Sequence, residues 1–166
     1  MRFLQEPARI TSVACETDLC IIGGSCTGVF AAVHAARLGL SVALVEQNSI
    51  LGGMAAAAQV NEWHSLCDTA HTRPIIGGLT VEVVERLRLR GALEELQPGR
   101  RGQFRFNSAE LATELDDLVR THRINVFLAA RCVAVTREGA RITSAIIDDR
   151  SGRRAIGAPF FIDASA

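Results

Sequence analysis

Between residues 19 and 46 the chain reads as strand, glycine turn, helix and strand, and this order constrains the fold more than any other feature. Leu19–Ile22 is a short continuous apolar run, the pattern of a strand buried on both faces. It ends in Gly23-Gly24-Ser25-Cys26-Thr27-Gly28. From there Val29 to Leu38 is Ala-rich and favours a helix, and Gly39 stands where a glycine ends one. A second apolar run, Ser41–Val45, closes on Glu46. Two buried strands joined through a helix over about thirty residues predict a right-handed parallel βαβ unit, and so an α/β fold.

The turn itself has a chemical reading. A pyrophosphate held at a helix N-terminus needs backbone N–H groups aimed at it and no side chains in the way. The dinucleotide fingerprint places glycines at i, i+2 and i+5. Here those positions are Gly23, Ser25 and Gly28, with Gly24 adding flexibility beside the serine. Ser25 is small and carries a hydroxyl that can donate to a phosphate, but it narrows the closest approach. Glu46 follows Gly23 by 23 residues, at the end of the second strand. An acid there accepts hydrogen bonds from a ribose diol and repels a 2′-phosphate, which disfavours NADP. The competing reading is a tight β–α turn with a solvated glutamate at a strand end.

Beyond Glu46 the chain is less regular from Gln47 to Gly78, and a loop of that length is functional or carries short helices. Thr80–Arg90 is predicted as an amphipathic helix with Val81, Val84 and Leu87 on one face and Gly91 at its end. A further helix runs from Ser108 to His122, with Leu111, Leu115, Leu118 and Val119 as its apolar face. Asn107 is placed to cap it, and Glu110 to answer from the third position. Asn125–Ala129 is a third parallel-type strand. Cys132–Arg137, Ile142–Asp148 and Arg153–Gly157 follow, with turns at Glu138-Gly139 and Arg150-Ser151-Gly152, and form an antiparallel three-stranded β-meander. Pro159–Ile162 is a last buried run. Residues 1–17 show little periodicity and read as a lead-in to a single unit over residues 18–166.

Composition excludes several chemistries. All 18 basic residues are Arg, balanced by 18 acids to a net charge of zero, and the chain has neither Lys nor Tyr. A P-loop needs its Lys, Schiff-base catalysis a Lys amine, and a short-chain dehydrogenase its Tyr–Lys relay. Without a basic excess, neither nucleic acid nor an anionic membrane is an expected partner. No apolar run approaches the ~18 residues of a membrane span, and the N-terminus lacks the apolar region of a signal peptide. Five Cys, at 15, 20, 26, 67 and 132, show no C-x-x-C pair, so no zinc site or disulfide framework is indicated. Free thiols fit a reducing cytoplasm.

Two features bear on whether the dinucleotide is FAD or NAD. Leu51-Gly52-Gly53-Met54-Ala55 lets backbone approach a ligand a few residues after the acid, and the antiparallel meander is seldom found in NAD-binding halves. Taken together, four stretches carry a family resemblance. DLCIIGGSCTGVFAA resembles the DVVVVGGGPAGVAAA opening of FAD-dependent oxidoreductases with a glutathione-reductase-type FAD-binding domain. VALVEQNSILGGMA resembles their V-x-L-x-E-R-x-x-x-L-G-G-M-A stretch, IIGGLTVEVVERL a later I-G-G-L/I-x-x-E-x-x-x-R-L segment, and FFIDASA the start of I-D-A-T-G-D-G-D. The motifs occur in family order from about Gln5 to Ala166.

The resemblance implies a Rossmann-like FAD-binding domain: a parallel sheet with helices plus the meander. It implies that Gly23, Ser25 and Gly28 face the FAD pyrophosphate, with Gly24 beside them in the cofactor-binding turn, and that Glu46 holds the adenosine ribose. Gly52, Gly53 and Met54 would lie along the cofactor toward the flavin, Val133 would meet adenine through its backbone, and Asp163 would support the last pyrophosphate-side turn. The chain departs from the family at Ser25 and at Gln47, where an Arg commonly follows the acid. It also stops at Ala164-Ser165-Ala166, where relatives continue into further FAD contacts and a substrate domain. The implied protein is therefore the N-terminal part of a longer enzyme acting on a small molecule, completed by a further domain or partner chain. The alternatives are a NAD-binding Rossmann protein and a non-catalytic FAD-binding module.

No catalytic residue is assigned. Trp63, His64 and His71 fall in the segment that the family places toward the active site, and a histidine base there is set against plain loop histidines and a packed Trp. His34 and His122 read as structural. Cys20 reads as core, whereas Cys26 begins a helix, where a thiol pKa can fall. Arg86, Arg88 and Arg90, and the Arg100-Arg101 pair, read as solvated faces.

Overall fold

The computed structural model describes residues 3, 7–96 and 102–165. In chain order the elements are β1 (Ser12–Glu16), β2 (Leu19–Ile22), α1 (Cys26–Arg37), β3 (Val42–Val45), α2 (Gly53–Ala56), β4 (Glu62–Trp63), α3 (Leu79–Leu89) and β5 (Leu93–Glu95). They continue with β6 (Phe104–Phe106), α4 (Ser108–Thr121), β7 (Asn125–Phe127), β8 (Arg131–Glu138), β9 (Arg141–Asp149), β10 (Gly152–Gly157) and β11 (Phe160–Asp163). The parallel sheet has the order β11-β2-β3-β7, so the glycine-turn strand β2 lies inside it between β11 and β3.

Strand alternation divides this sheet between two cores. Leu19 and Ile21 of β2, with Val42 and Leu44 of β3, point to one face and pack on α1, α3 and α4. Cys20, Ala43 and Val45 point to the other and meet Ala145, Ile147 and Ile156 of the meander. Side chains of successive strand residues face opposite ways, so continuous apolar strands are what a middle layer requires. The result is three layers: helices, parallel sheet, meander.

The meander departs from expectation in one respect. The stretch 1–17 is more than a lead-in, because β1 adds a fourth strand, parallel to β10, in the order β1-β10-β9-β8. Its side chains are exposed or half-buried, so they carry little apolar alternation for a sequence reading to detect. A small antiparallel sheet, β4-β6-β5, was likewise hidden by its two- and three-residue strands.

Helix α4 begins at the expected cap. The Asn107 carboxamide oxygen accepts from the N–H groups of Ala109 (2.9 Å) and Glu110 (3.2 Å). Glu110 does not return the bond. The Asn107 N–H is already donated to the Ala92 carbonyl at 2.9 Å, and the Glu110 carboxylate instead pairs with Arg90. In α3 the buried face is Val83, Val84 and Leu87, while Val81 is exposed. A stripe centred on 83, 84 and 87 leaves position 81 on the flank, since each residue turns the helix by about 100°.

Arg86 and Arg90 are not a solvated face. They converge on Glu114 of α4, whose side chain is only 3% exposed, at 2.6 Å from Arg86 Nη1 and 3.0 Å from Arg90 Nε. Glu82 bridges Arg86 to Arg37 of α1, which it accepts in a bidentate pair at 2.8 Å. This network joins three helices. Only Arg88 matches the expected solvated role, with Glu85 and Glu95 beside it, and Arg100-Arg101 lie outside the described residues. We expect Glu114→Ala to cost about 1–3 kcal/mol, because two charged donors lose a buried acceptor. Arg88→Ala should stay within about 0.5 kcal/mol. Urea denaturation midpoints of the two variants check this, and equal midpoints would refute it.

Candidate functional site

The carboxyl ends of β2, β3 and β11 and the start of β8 surround a cleft of about 500 Å³. Ligands of open α/β sheets bind at the carboxyl ends of the strands, and a cleft of this volume is within the range of small-molecule sites. Its wall on the parallel-sheet side includes Gly23, Ser25, Glu46, Gln47, Gly53 and Asp163, so six of the eleven residues expected at the site are brought together.

The glycine turn is built by close contact. Gly23 has φ of +102°, and its N–H donates to the Val45 carbonyl at 2.7 Å. A Cβ on Gly28 would lie 1.8 Å from the Gly23 carbonyl oxygen, so the first turn of α1 rests directly on the end of β2. Gly28 therefore serves the packing that sets the helix and does not itself line the cleft. Ser25 is the residue preceding α1, and its side chain makes no capping bond; no acid occupies the first helical turn. The N-terminal N–H groups of the helix and the serine hydroxyl are thus left for an anion at the cleft.

Glu46 is 4% exposed and is held from two sides. Its Oε2 accepts from the Gly24 N–H at 2.6 Å, and its Oε1 accepts from the N–H and the side-chain Nδ2 of Asn48, both at 2.7 Å. A carboxylate oxygen accepts about two hydrogen bonds, so Oε2 retains one acceptor position and Oε1 none. The acid is rigid, tied to the glycine turn, and able to accept one hydroxyl. Gly24 accordingly acts behind the wall, as a donor to the acid. Sequence reasoning missed Asn48, although a short polar residue two positions after a strand-end acid is a legible signal for a local side chain–backbone bond.

Gly53 reaches the cleft by packing on Ser25, and the Gly52 N–H donates to the Gly24 carbonyl at 2.8 Å. Gly52 itself faces Ala56 and Leu115, and Met54 is 66% exposed on α2; neither lines the cleft. The Val133 side chain is also elsewhere, in a shallow depression with Arg131 and Asp148. Its main chain is the informative part. The β8–β9 register passes from Cys132 to Ala134 and skips Val133, a bulge that takes its backbone groups out of the regular ladder. Asp163 accepts from the Ser165 N–H (3.0 Å) and hydroxyl (2.6 Å), and these bonds hold its carboxyl below the usual range. It closes the turn that rests on Gly23, whose Cβ would strike the Ala164 carbonyl.

The candidate bases and thiols separate clearly. Trp63 packs on Phe106 with ring centroids 4.8 Å apart, and His64 is exposed; neither lines the cleft. His71 stands in a loop with φ of +55° and a buried Nδ1 that has no partner among the described residues, also away from the cleft. His122 ends α4 as expected, with Nδ1 2.8 Å from the Leu118 carbonyl. Cys20 is fully buried. Cys26 does not have the lowered pKa that a helix start can produce: burial pushes its thiol up to about 11. Desolvation outweighs the helix dipole there. Among the described residues no group of His, Cys, Asp and Glu could hold a metal ion, and no helix is long and apolar enough to cross a membrane.

A sequence model of the FAD dependent oxidoreductase family matches residues 18–166. The chain belongs to this family. FAD is therefore its cofactor, the NAD reading of the same turn is set aside, and the chain carries the FAD-binding portion of a flavin-dependent oxidoreductase. The fold agrees with solved flavoproteins. It is similar to a geranylgeranyl bacteriochlorophyll reductase-like protein from Thermoplasma acidophilum, with a TM-score of 0.64 and 14% identity over 91% of this chain and 39% of that one. It is also similar to THI4 of Thermovibrio ammonificans, with a TM-score of 0.61 and 21% identity over 90% of this chain and 57% of that one. A third likeness is to p-nitrophenol 4-monooxygenase PnpA from Pseudomonas putida, with a TM-score of 0.63 and 9% identity over 92% of this chain and 41% of that one. At such identities the likeness is one of fold. The chain spans well under two thirds of each of these proteins. No curated protein sequence matches it.

Proposed function

We propose that the cleft takes the adenosine diphosphate half of FAD, within a unit comprising residues 18–166 and the added strand β1. The observation that carries this is Glu46, a buried carboxylate fixed by the Gly24 N–H at 2.6 Å and by Asn48, with one acceptor position left for a ribose hydroxyl. On one side of it, Gly23, Ser25 and the start of α1 offer N–H groups and a hydroxyl to the pyrophosphate. On the other, the bulge at Val133 frees main-chain groups for the edge of adenine. Asp163 shapes the turn over Gly23 and takes no part as an acid.

When bound, the flavin supplies the redox chemistry, and the protein supplies position and electrostatics. The share of this chain is to bind the cofactor by its adenosine end and so orient the rest. We further propose that the groups contacting a small-molecule substrate come from outside these 166 residues, in a further domain or partner chain. The support is that the chain spans 39% and 57% of the first two matched structures. The free thiols suit a cytoplasmic setting.

Titration of FAD into the protein, followed by flavin fluorescence, tests the assignment. FAD should bind, AMP should displace it, and FMN, which lacks the adenosine half, should not. Displacement by FMN and not by AMP, or no binding of FAD at all, would overturn it.

A further inference from the structure

We propose that Asn48 sets how the site reads a ribose. By occupying one oxygen of Glu46 it leaves the acid a single hydroxyl to accept, so one hydroxyl of the diol is recognised and the other is not. This rests on the placement of the adenosine half of FAD given above, and it names the residue that fixes the sugar specificity of that placement. A free carboxylate has two oxygens, each able to accept about two hydrogen bonds, and so can take both hydroxyls of a diol at once. In Glu46 most of that capacity is spent within the protein. Its Oε2 accepts from the Gly24 N–H at 2.6 Å, and its Oε1 accepts from both the N–H and the side-chain Nδ2 of Asn48 at 2.7 Å. Of these three donors only the Asn48 amide is a side chain, so it alone can be removed without altering the backbone.

Main-chain bonds hold the acid and the asparagine in place. The Glu46 N–H donates to the Phe127 carbonyl at 2.8 Å, and the Glu46 carbonyl accepts from the Ala130 N–H at 3.0 Å. The Asn48 carbonyl accepts from the Ala129 N–H at 2.8 Å. Ala129 adopts a φ of +49° there, a left-handed conformation that costs a non-glycine residue energy and persists only where its surroundings fix it. Both residues are thus tied to the same segment, and a ligand meets them as one fixed unit.

Asn48 stands on the open side of the acid. Glu46 is buried, whereas Asn48 is exposed, and both line the cleft. Removing the amide therefore opens Oε1 to the cleft, where it keeps the Asn48 N–H as one donor and gains one acceptor position. The acid then has a position free on each oxygen, which is what a diol needs.

Calorimetric titration of AMP, 2′-deoxy-AMP and 3′-deoxy-AMP into the unaltered chain and Asn48→Ala tests this, with FAD as the reference ligand. In the unaltered chain one deoxynucleotide should bind about tenfold more weakly than AMP, and the other within about twofold of it. In Asn48→Ala both should fall about fivefold or more below AMP, because Oε1 now takes the second hydroxyl. A residue that only braced the loop would shift all three ligands together, so unchanged ratios in Asn48→Ala would overturn the role of Asn48. Equal weakening of the two deoxynucleotides in the unaltered chain, or weakening of neither, would overturn recognition of a single hydroxyl, and this arm needs no variant. In each of these cases, binding of AMP and FAD leaves the cleft assignment standing. Absence of AMP and FAD binding to the unaltered chain would overturn both.

Discussion

A methyl group added at position 28 is expected to disable the protein. The Cβ of Gly28→Ala would lie 1.8 Å from the Gly23 carbonyl oxygen and 3.0 Å from its carbon. Both are backbone atoms, so no rotamer change relieves the contact. Gly23 cannot retreat, since its N–H is bonded to Val45 and its own Cβ space is filled by the Ala164 carbonyl. Either β2 or α1 must move. Overpacking of this kind costs about 3 kcal/mol or more, a large share of the 5–15 kcal/mol typical of a domain. FAD binding should fall below detection, because the N-terminus of α1 leaves its place at the cleft. Gly39→Ala is the matched control. Gly39 also has a positive φ, +88°, but nothing lies within 4 Å of its Cβ position. That change should cost about 1–2 kcal/mol from backbone strain alone and leave FAD affinity intact. Urea unfolding with FAD titration of both variants is the check, and a Gly28→Ala protein with normal stability would refute the packing argument.

Glu46→Gln is expected to be nearly as damaging, for a different reason. The carboxylate accepts three N–H donors, from Gly24 and twice from Asn48, spread over both of its oxygens. A carboxamide has one oxygen and one NH₂. In either orientation its NH₂ faces a donor, and at least one buried N–H loses its acceptor. An unsatisfied buried donor costs about 1–3 kcal/mol. The ribose hydroxyl loses a charged acceptor, worth about 1.5–3 kcal/mol, or roughly ten- to hundredfold in FAD affinity. Glu46→Ala leaves all three donors without an acceptor and should unfold at a lower midpoint than Glu46→Gln, with binding equally impaired. The reverse order of midpoints would show that the lost acceptors are not what matters.

Much of this architecture is local in origin and so is readable along the chain. Leu19–Ile22 and Ser41–Val45 alternate between two cores, and both runs are continuously apolar because both faces are covered. The turn between them needs glycine at Gly23 for its φ and at Gly28 for its contact, and both requirements lie within one βαβ unit. The Asn107 cap and the Leu111, Leu115, Leu118 stripe are set by neighbours three and four residues away. What escaped was decided at long range. Glu110 lost its part in the capping box because Ala92 had taken the Asn107 N–H. The arginines of α3 were recruited by Glu114, which no spacing rule connects to them. Val133 could be placed near a ligand by analogy, yet only strand register reveals the bulge that makes its backbone available.

By itself, the amino-acid sequence determined the class of fold and the position of the glycine turn, and its resemblance to a family gave the kind of cofactor. The first two depend on residue types at short, fixed spacings, where backbone sterics and hydrogen-bond reach leave few alternatives. Tertiary structure alone decided what stands across the cleft from the glycine turn. The start of β8, which lines that cleft, comes some 85 residues after Glu46 in the chain, and the Cys26 thiol is suppressed by burial that no local pattern records. Packing brings such groups together through contacts between layers, and the free energy of those contacts depends on surroundings drawn from the whole chain.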